Sequence, residues 1–253
     1  MWPASKVVPK ELFPLGKVPA IVHLFWELMD AGVSRIIVVA SRENSGLMRE
    51  LLDPKFPAPK KMAGDPLVQR FQKMLAEVEF ILTEQAGNYG NGTPLSQSAE
   101  LLRGEPCIYC FGDDIFFGEN VSRELIRIYE RTGFPVMSAQ EVEPSRKSSF
   151  GIFEVKKEGD IQYLTRILEK PAPGETESNL AGPGRYLVTP ELLGLLTDVT
   201  PGKDNEIWFT DSVLRRLQSG GKVCVYTLRS GKWYTVGDPA GYTAAVQAAT
   251  TQL

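Results

Sequence analysis

Cys107-Ile108-Tyr109-Cys110-Phe111-Gly112-Asp113-Asp114 is a short apolar run that ends on a glycine and two carboxylates. The run has the composition of a strand buried on both faces. In open α/β sheets, ligands gather where strands end at their carboxyl edge. A carboxylate placed there can hold a divalent cation over a phosphate chain. The stretch therefore predicts an α/β protein with a ligand site at Asp113.

The alternation continues on both sides of this run. Upstream, Val18–Ala31 has helical apolar spacing and ends near Gly32, and Arg35-Ile36-Ile37-Val38-Val39-Ala40 is a strand. Ser45–Leu52 and Leu67–Ala76 read as helices, and Val78–Thr83 as the next strand. Between the two helices, Pro54–Pro66 carries four prolines, a glycine and three lysines. That is an exposed loop, either a plain surface connection or a mobile flap or oligomer contact. Gln85-Ala86-Gly87-Asn88-Tyr89-Gly90-Asn91-Gly92-Thr93-Pro94 holds three glycines in six residues. Such backbone can approach a ligand closely. It opens into a helix around Pro94–Leu102, whose start favours anions.

Downstream, helix Val121–Thr132 and strand Pro135–Gln140 repeat the unit. This βαβα order implies a mostly parallel, Rossmann-like mixed sheet flanked by helices, with right-handed crossovers. From Phe150 the texture changes to a hairpin, Phe150–Val155 and Ile161–Leu168, turning at Gly159-Asp160. Strand Gly184–Thr189, helices Pro190–Leu196 and Trp208–Gln218, strand Lys222–Leu228 and a closing helix Val236–Ala249 follow. The sequence has no internal repeat or low-complexity tract, and a single domain over residues 1–253 is expected.

The composition, 43% hydrophobic and 23% charged with a net charge of -3, is that of an ordinary globular protein. It lacks the basic excess of a nucleic-acid binder. No apolar run approaches the roughly 20 residues of a membrane helix. The N-terminus has no apolar signal region, so a cytoplasmic protein is expected. Three cysteines fit a reduced compartment. Cys107 and Cys110 have CxxC spacing, but residues three apart on a strand point to opposite faces, and they read as two small buried hydrophobes. The single histidine, His23, sits on a helical run and reads as a packed or surface residue.

Several segments together resemble one family. Ser5-Lys6-Val7-Val8-Pro9-Lys10-Glu11-Leu12-Phe13-Pro14-Leu15 resembles the basic motif of sugar-1-phosphate nucleotidylyltransferases, nearest the bacterial UTP–glucose-1-phosphate uridylyltransferases. The loop Gln85–Gly92 is similar to their nucleobase loop, and Gly112-Asp113-Asp114-Ile115 to their metal-binding strand end. Phe150-Gly151-Ile152, Leu168-Glu169-Lys170-Pro171, Ser178-Asn179-Leu180-Ala181, Gly184-Arg185-Tyr186 and Asp204-Asn205-Glu206-Ile207-Trp208-Phe209-Thr210-Asp211 follow in the family's order.

The resemblance implies that a sugar phosphate oxygen attacks the α-phosphorus of UTP and pyrophosphate leaves. Such transfer is mainly positioning and charge neutralisation. It implies that Lys10 neutralises nucleotide phosphates, that Gln85 and Gly90 contact uracil, and that Asp113 holds Mg²⁺. It further implies that Gly151, Glu169, Asn179 and Glu206 contact the sugar and that Lys170 meets its phosphate. The nucleotide-binding part would be about residues 1–140 and the sugar-binding part about residues 141–253. UTP and glucose 1-phosphate would be the partners, with a homo-oligomer as a further expectation.

Two departures bear on activity. The family opens with a strand and a G-x-G-T-R loop around the triphosphate, and Met1 stands where that loop would end. A longer natural chain, or a rearranged sheet, is expected from this. The family also places an aspartate two residues before a glycine as a second metal ligand. Here Tyr234-Thr235-Val236-Gly237-Asp238 puts Thr235 in that slot. A lesser departure is Val18, where the family usually has a lysine. Beside the uridylyltransferase reading there stand a catalytically impaired sugar-nucleotide-binding relative acting as sensor or partner subunit, and an enzyme for another base or sugar, such as thymidylyl transfer.

Overall fold

The computed structural model describes residues 1–55, 58–87, 89–197 and 206–252. In chain order its first elements are β1 (Pro14–Leu15), β2 (Val18–Pro19), α1 (Ala20–Asp30), β3 (Arg35–Ala40), α2 (Ser45–Leu52), α3 (Pro66–Glu77), β4 (Glu79–Glu84), α4 (Thr93–Gln97), α5 (Ala99–Leu102), β5 (Cys107–Cys110) and β6 (Asp114–Phe117). There follow α6 (Val121–Thr132), β7 (Val136–Glu141), β8 (Gly151–Glu158), β9 (Ile161–Glu169), β10 (Leu180–Ala181), β11 (Arg185–Val188), α7 (Pro190–Thr197), α8 (Phe209–Gln218), β12 (Cys224–Thr227), β13 (Lys232–Thr235) and α9 (Pro239–Gln252).

The chain divides into two compact units. The first comprises Met1–Ala86, Gly112–Phe117 and Tyr234–Leu253. Its β3 is a run of β-branched residues, the type that packs well on a pleated surface. Ile36, Val38 and Ala40 are its buried face. β3 pairs in parallel with β4, from Arg35↔Glu79 to Ala40↔Glu84. Helix α1 is buried along most of its length, with Ile21, Val22, Leu24, Phe25, Trp26 and Leu28 all in the core. It stops at Gly32, which takes φ +91 and donates its N–H to Met29 O at 2.9 Å. Helix α3 starts with Pro66 at its first turn and Asp65 accepting the Leu67 N–H at 2.9 Å, a sound N-cap. His23 donates to Leu15 O at 3.0 Å and packs edge-on against Trp26 and Phe117. Burial lowers its pKa, and the packed reading of this residue holds.

The second unit comprises Gly87–Phe111 and Gly118–Trp233. Its sheet has the order β10-β8-β9-β12-β7-β11-β5, and β10 also pairs with β7. The β12–β7 ladder is parallel, and the other ladders are antiparallel. Helix α6 is capped by Asn120, which accepts the Arg123 N–H at 2.9 Å, and closed by Gly133 at φ +68. Leu125, Val136, Met137, Ile152, Val213 and Val225 lie in the core. Phe209 stacks on Tyr186 at 4.9 Å and 14°.

The expected mixed α/β architecture is observed. Its parallel share among the described residues is two ladders, β3–β4 and β12–β7. Of the strands after residue 150, β8 and β9 form a hairpin, while β10 and β11 pair antiparallel with β8, β7 and β5, so the sheet expected to be mostly parallel is mostly antiparallel. Two local differences touch the site. The run at Cys107 ends at Cys110, and Asp114 begins a separate strand, β6, so Asp113 lies in the turn between them. Strand β13, which pairs with β6, was not expected. All three cysteines are free, and burial pushes the Cys107 thiol up to about 12. Cys107 and Cys110 are half-buried rather than fully buried, and Cys110 Sγ lies 3.2 Å from Arg185 Nη1. Among the described residues no helix is long and apolar enough to cross a membrane.

Candidate active site

In the first unit the chemistry gathers at the turn before β6. Pro9 leads into a single 3₁₀ turn, Lys10–Leu12. That turn aims Lys10 Nζ at Asp113 Oδ2, 2.6 Å away. The side chains keep 38% and 23% of their exposure, so the pair is reachable from solvent. An ion pair this exposed adds little to stability. Removal of Lys10 from water lowers its pKa, but the charge of Asp113 and the hydrogen bond to it outweigh this, and the pKa ends above 10.5. Lys10 is therefore a fixed cation across the whole working range of pH.

The second side of this cluster is the segment after β13. Val236 donates its N–H to Asp113 O at 2.8 Å, and Gly237 donates its own to Thr235 Oγ1 at 3.1 Å. A Cβ at Gly237 would lie 2.9 Å from Asp113 Oδ2, 3.1 Å from Thr235 Oγ1 and 3.8 Å from Lys10 Nζ. Gly237 thus keeps open a small space walled by a carboxylate, a hydroxyl and an ammonium group. The T-x-G spacing around Val236 is the sequence signal for this space, in which Gly237 matters as much as Thr235.

Can these residues hold a cation? No three His, Cys, Asp or Glu side chains among the described residues converge on a common point, so an all-protein cage is excluded there. A small hard cation such as Mg²⁺ takes one or two carboxylates and draws its other ligands from phosphates and water. Asp113, with the Thr235 hydroxyl beside the same space, meets that lower requirement with one anionic ligand.

Glu11 completes this cluster. Its Cγ lies 3.1 Å from where a Cβ at Gly112 would be, so glycine there lets the Lys10–Leu12 turn close onto the Gly112-Asp113 turn. Burial raises the Glu11 pKa, and its own backbone N–H and Lys10 only partly counter this. A carboxyl whose folded pKa is raised stabilises the fold below its unfolded pKa of 4.5 and loses that contribution as pH rises through the folded value. Glu11→Gln should therefore melt higher than the natural chain at pH 7, with the gap narrowing toward pH 4. Thermal melts at the two pH values check this, and a variant that melts lower at pH 7 would refute it.

Gln85 belongs to the first unit, where its N–H donates to Ala40 O at 2.8 Å and extends the β3–β4 ladder at its carboxyl end. Gly90 lies in the second unit. It takes φ +118, and a Cβ there would meet Ile207 O at 2.2 Å and Ile207 N at 2.6 Å. The Ile207 N–H donates to Tyr89 O at 2.9 Å, and the Gly92 N–H donates to Ile207 O at 2.8 Å. The glycine loop is thus laced to the residue that follows Glu206. Asp204 and Asn205 of the same motif lie outside the described residues.

The other candidates collect at the open end of the β8–β9 hairpin. Gly151 stands opposite Glu169 in its register, and a Cβ on Gly151 would be 3.1 Å from Glu169 Oε2. The Lys170 N–H donates to Phe150 O at 3.0 Å, and Lys170 takes φ +48, unusual for a side chain with a Cβ. The bend turns Lys170 out of the ladder beside Glu169. Gly151 O accepts the Gly182 N–H at 3.0 Å, and Asn179 O accepts the Val142 N–H at 3.0 Å. Gly151, Glu169 and Lys170 therefore sit together, and Asn179 leads into β10, which pairs with β8.

The family model for nucleotidyl transferases matches residues 1–252. A UTP–glucose-1-phosphate uridylyltransferase of Pseudomonas aeruginosa is 29% identical, over 96% of this chain and 88% of its own. One from Staphylococcus haemolyticus is 30% identical, over 95% of this chain and 84% of its own. The crystal structure of an apo UDP-glucose pyrophosphorylase superposes with a TM-score of 0.89 at 25% identity, covering 100% of this chain and 94% of that one.

Proposed function

This chain belongs to the nucleotidyl transferase family, and from that premise we propose that it joins UTP and glucose 1-phosphate into UDP-glucose, releasing pyrophosphate. The observation that carries the proposal is the pairing of Lys10 Nζ with Asp113 Oδ2 at 2.6 Å beside Thr235 and Gly237. Phosphoryl transfer asks the protein for positioned charge rather than a covalent nucleophile, and this cluster offers a fixed ammonium and a reachable carboxylate.

In this reading Lys10 neutralises charge that builds on the nucleotide phosphates. Asp113 and Thr235 would hold Mg²⁺, which when bound screens the phosphate charge. Gln85 and Gly90 take the uracil. Glu169, Gly151, Asn179 and Glu206 take the sugar hydroxyls, and Lys170 takes the sugar phosphate. The nucleotide-binding part falls at about residues 1–140 and the sugar-binding part at about residues 141–253. Thr235 favours a second reading, a binder of the same nucleotide sugar with little turnover, because a neutral hydroxyl screens less charge than a carboxylate.

Two substitutions test the assignments against each other. Lys170→Ala keeps a Cβ, so the backbone at φ +48 is as strained as before, and only the ammonium group is lost. A hydrogen bond to a charged group is worth about 1.5–3 kcal/mol, so the KM for glucose 1-phosphate should rise by at least about tenfold while that for UTP stays put. Steady-state kinetics with each substrate varied in turn gives the answer. Equal loss for both substrates would reject the role given to Lys170.

A further inference from the structure

We propose that Asn91 is a positioning residue that fastens the glycine loop to the Glu206–Phe209 segment, so that the base and sugar subsites of the proposed reaction set one another's geometry. The inference rests on that functional reading for its consequences, and on the following contacts for its geometry.

Asn91 Oδ1 accepts the N–H of Phe209, 118 positions away, at 2.8 Å. Phe209 is the first residue of α8, and Trp208 before it offers no side-chain cap. An orphan N–H at a helix start needs an acceptor, and here a distant loop supplies it. Asn91 is held in turn, because its own carbonyl accepts the Tyr109 hydroxyl from β5. The 206–209 segment has a firm base as well, since Phe209 is 1% exposed and stacks on Tyr186. Two further bonds, Ile207 N–H to Tyr89 O and Gly92 N–H to Ile207 O, run alongside the Asn91 contact. Three hydrogen bonds thus join Tyr89, Asn91 and Gly92 of the loop to Ile207 and Phe209 of the other segment.

The fit is close enough to exclude side chains. A Cβ on Gly92 would lie 2.9 Å from Ile207 Cγ2 and 3.0 Å from Ile207 O, and Gly90 is more crowded still. A displacement of either segment therefore moves the other. Ordering one segment by its substrate lowers the cost of ordering the other, and such coupling works equally in both directions.

Asn91→Ala removes the acceptor, whereas Asn91→Asp keeps an oxygen at Oδ1. In Asn91→Ala the KM for UTP and the KM for glucose 1-phosphate should rise together by about five- to tenfold, with kcat within about twofold, and Asn91→Asp should restore both. Gln85→Ala and Lys170→Ala serve as references, each expected to affect one substrate. If the references separate the substrates and Asn91→Ala raises only one KM or neither, the coupling is refuted while the functional reading survives. Hydrogen exchange decides the geometry whatever the activity. The amides of Gly92 and Ile207, which do not touch the Asn91 side chain, should exchange faster in Asn91→Ala and recover in Asn91→Asp. Unchanged exchange at those two amides would overturn the proposal even in a chain that turns over normally.

Discussion

Lys10→Ala should lower turnover by about 10²–10³-fold, the range seen when one preorganised charge-stabilising group is removed from a reaction centre. The loss should fall on kcat more than on KM, because the ammonium acts on charge that develops as the α-phosphorus is attacked. The fold should survive. The pair with Asp113 is part-exposed, and pairs of that kind contribute roughly 0–1 kcal/mol. The sign of the pH linkage agrees. A lysine whose folded pKa is raised contributes fully below 10.5 and loses that contribution only as pH climbs through its folded value. Near neutral pH its removal is a loss of position and charge and has no titration component. Single-turnover kinetics and a thermal melt on one preparation separate the two effects. A variant that keeps its turnover would move the catalytic cation elsewhere.

Gly90→Ala should be strongly damaging for a single added methyl. Two costs coincide there. At φ +118 a residue with a Cβ is strained, at about 1–3 kcal/mol. The new Cβ would also sit 2.2 Å from a backbone oxygen of Ile207, which cannot rotate away as a side chain could. The loop and the Glu206 segment must then separate, and the KM for UTP should rise by at least about tenfold. Gly87→Ala is the internal control. Gly87 has φ +85 but nothing within 4 Å of its would-be Cβ, so it carries the strain without the clash. The difference between the two variants, in melting temperature and in KM, isolates the contact with Ile207. Equal effects at both positions would show that the lacing does not matter.

Much of this was legible in the chain. The βα alternation on either side of Asp113 gave the mixed α/β class because hydrophobic period and turn residues act locally. Lys10, Asp113, Glu169 and Lys170 were legible as ordered short motifs, and the structure brings the first two together and sets Gly151 opposite Glu169. What escaped was set by contacts between distant segments. Strand β13, Lys-Trp-Tyr-Thr, is too short and too mixed to announce itself, and it exists because β6 pairs with it. Gly90 reads as a ligand-facing glycine in sequence, yet its smallness is already demanded by Ile207. Asn91 reads as a turn residue, and only the fold shows that it caps a helix 118 positions downstream. The split of the chain into two units likewise depends on two short segments, Gly112–Phe117 and Tyr234–Leu253, joining an N-terminal body, which no local pattern encodes.

The most direct test of the central claim is pyrophosphate release by the purified protein given UTP, glucose 1-phosphate and Mg²⁺. Release should require both substrates, match UDP-glucose formed one for one, and disappear in Lys10→Ala. Tight binding of UDP-glucose with no release from the natural chain would contradict transfer and leave a binding protein in its place.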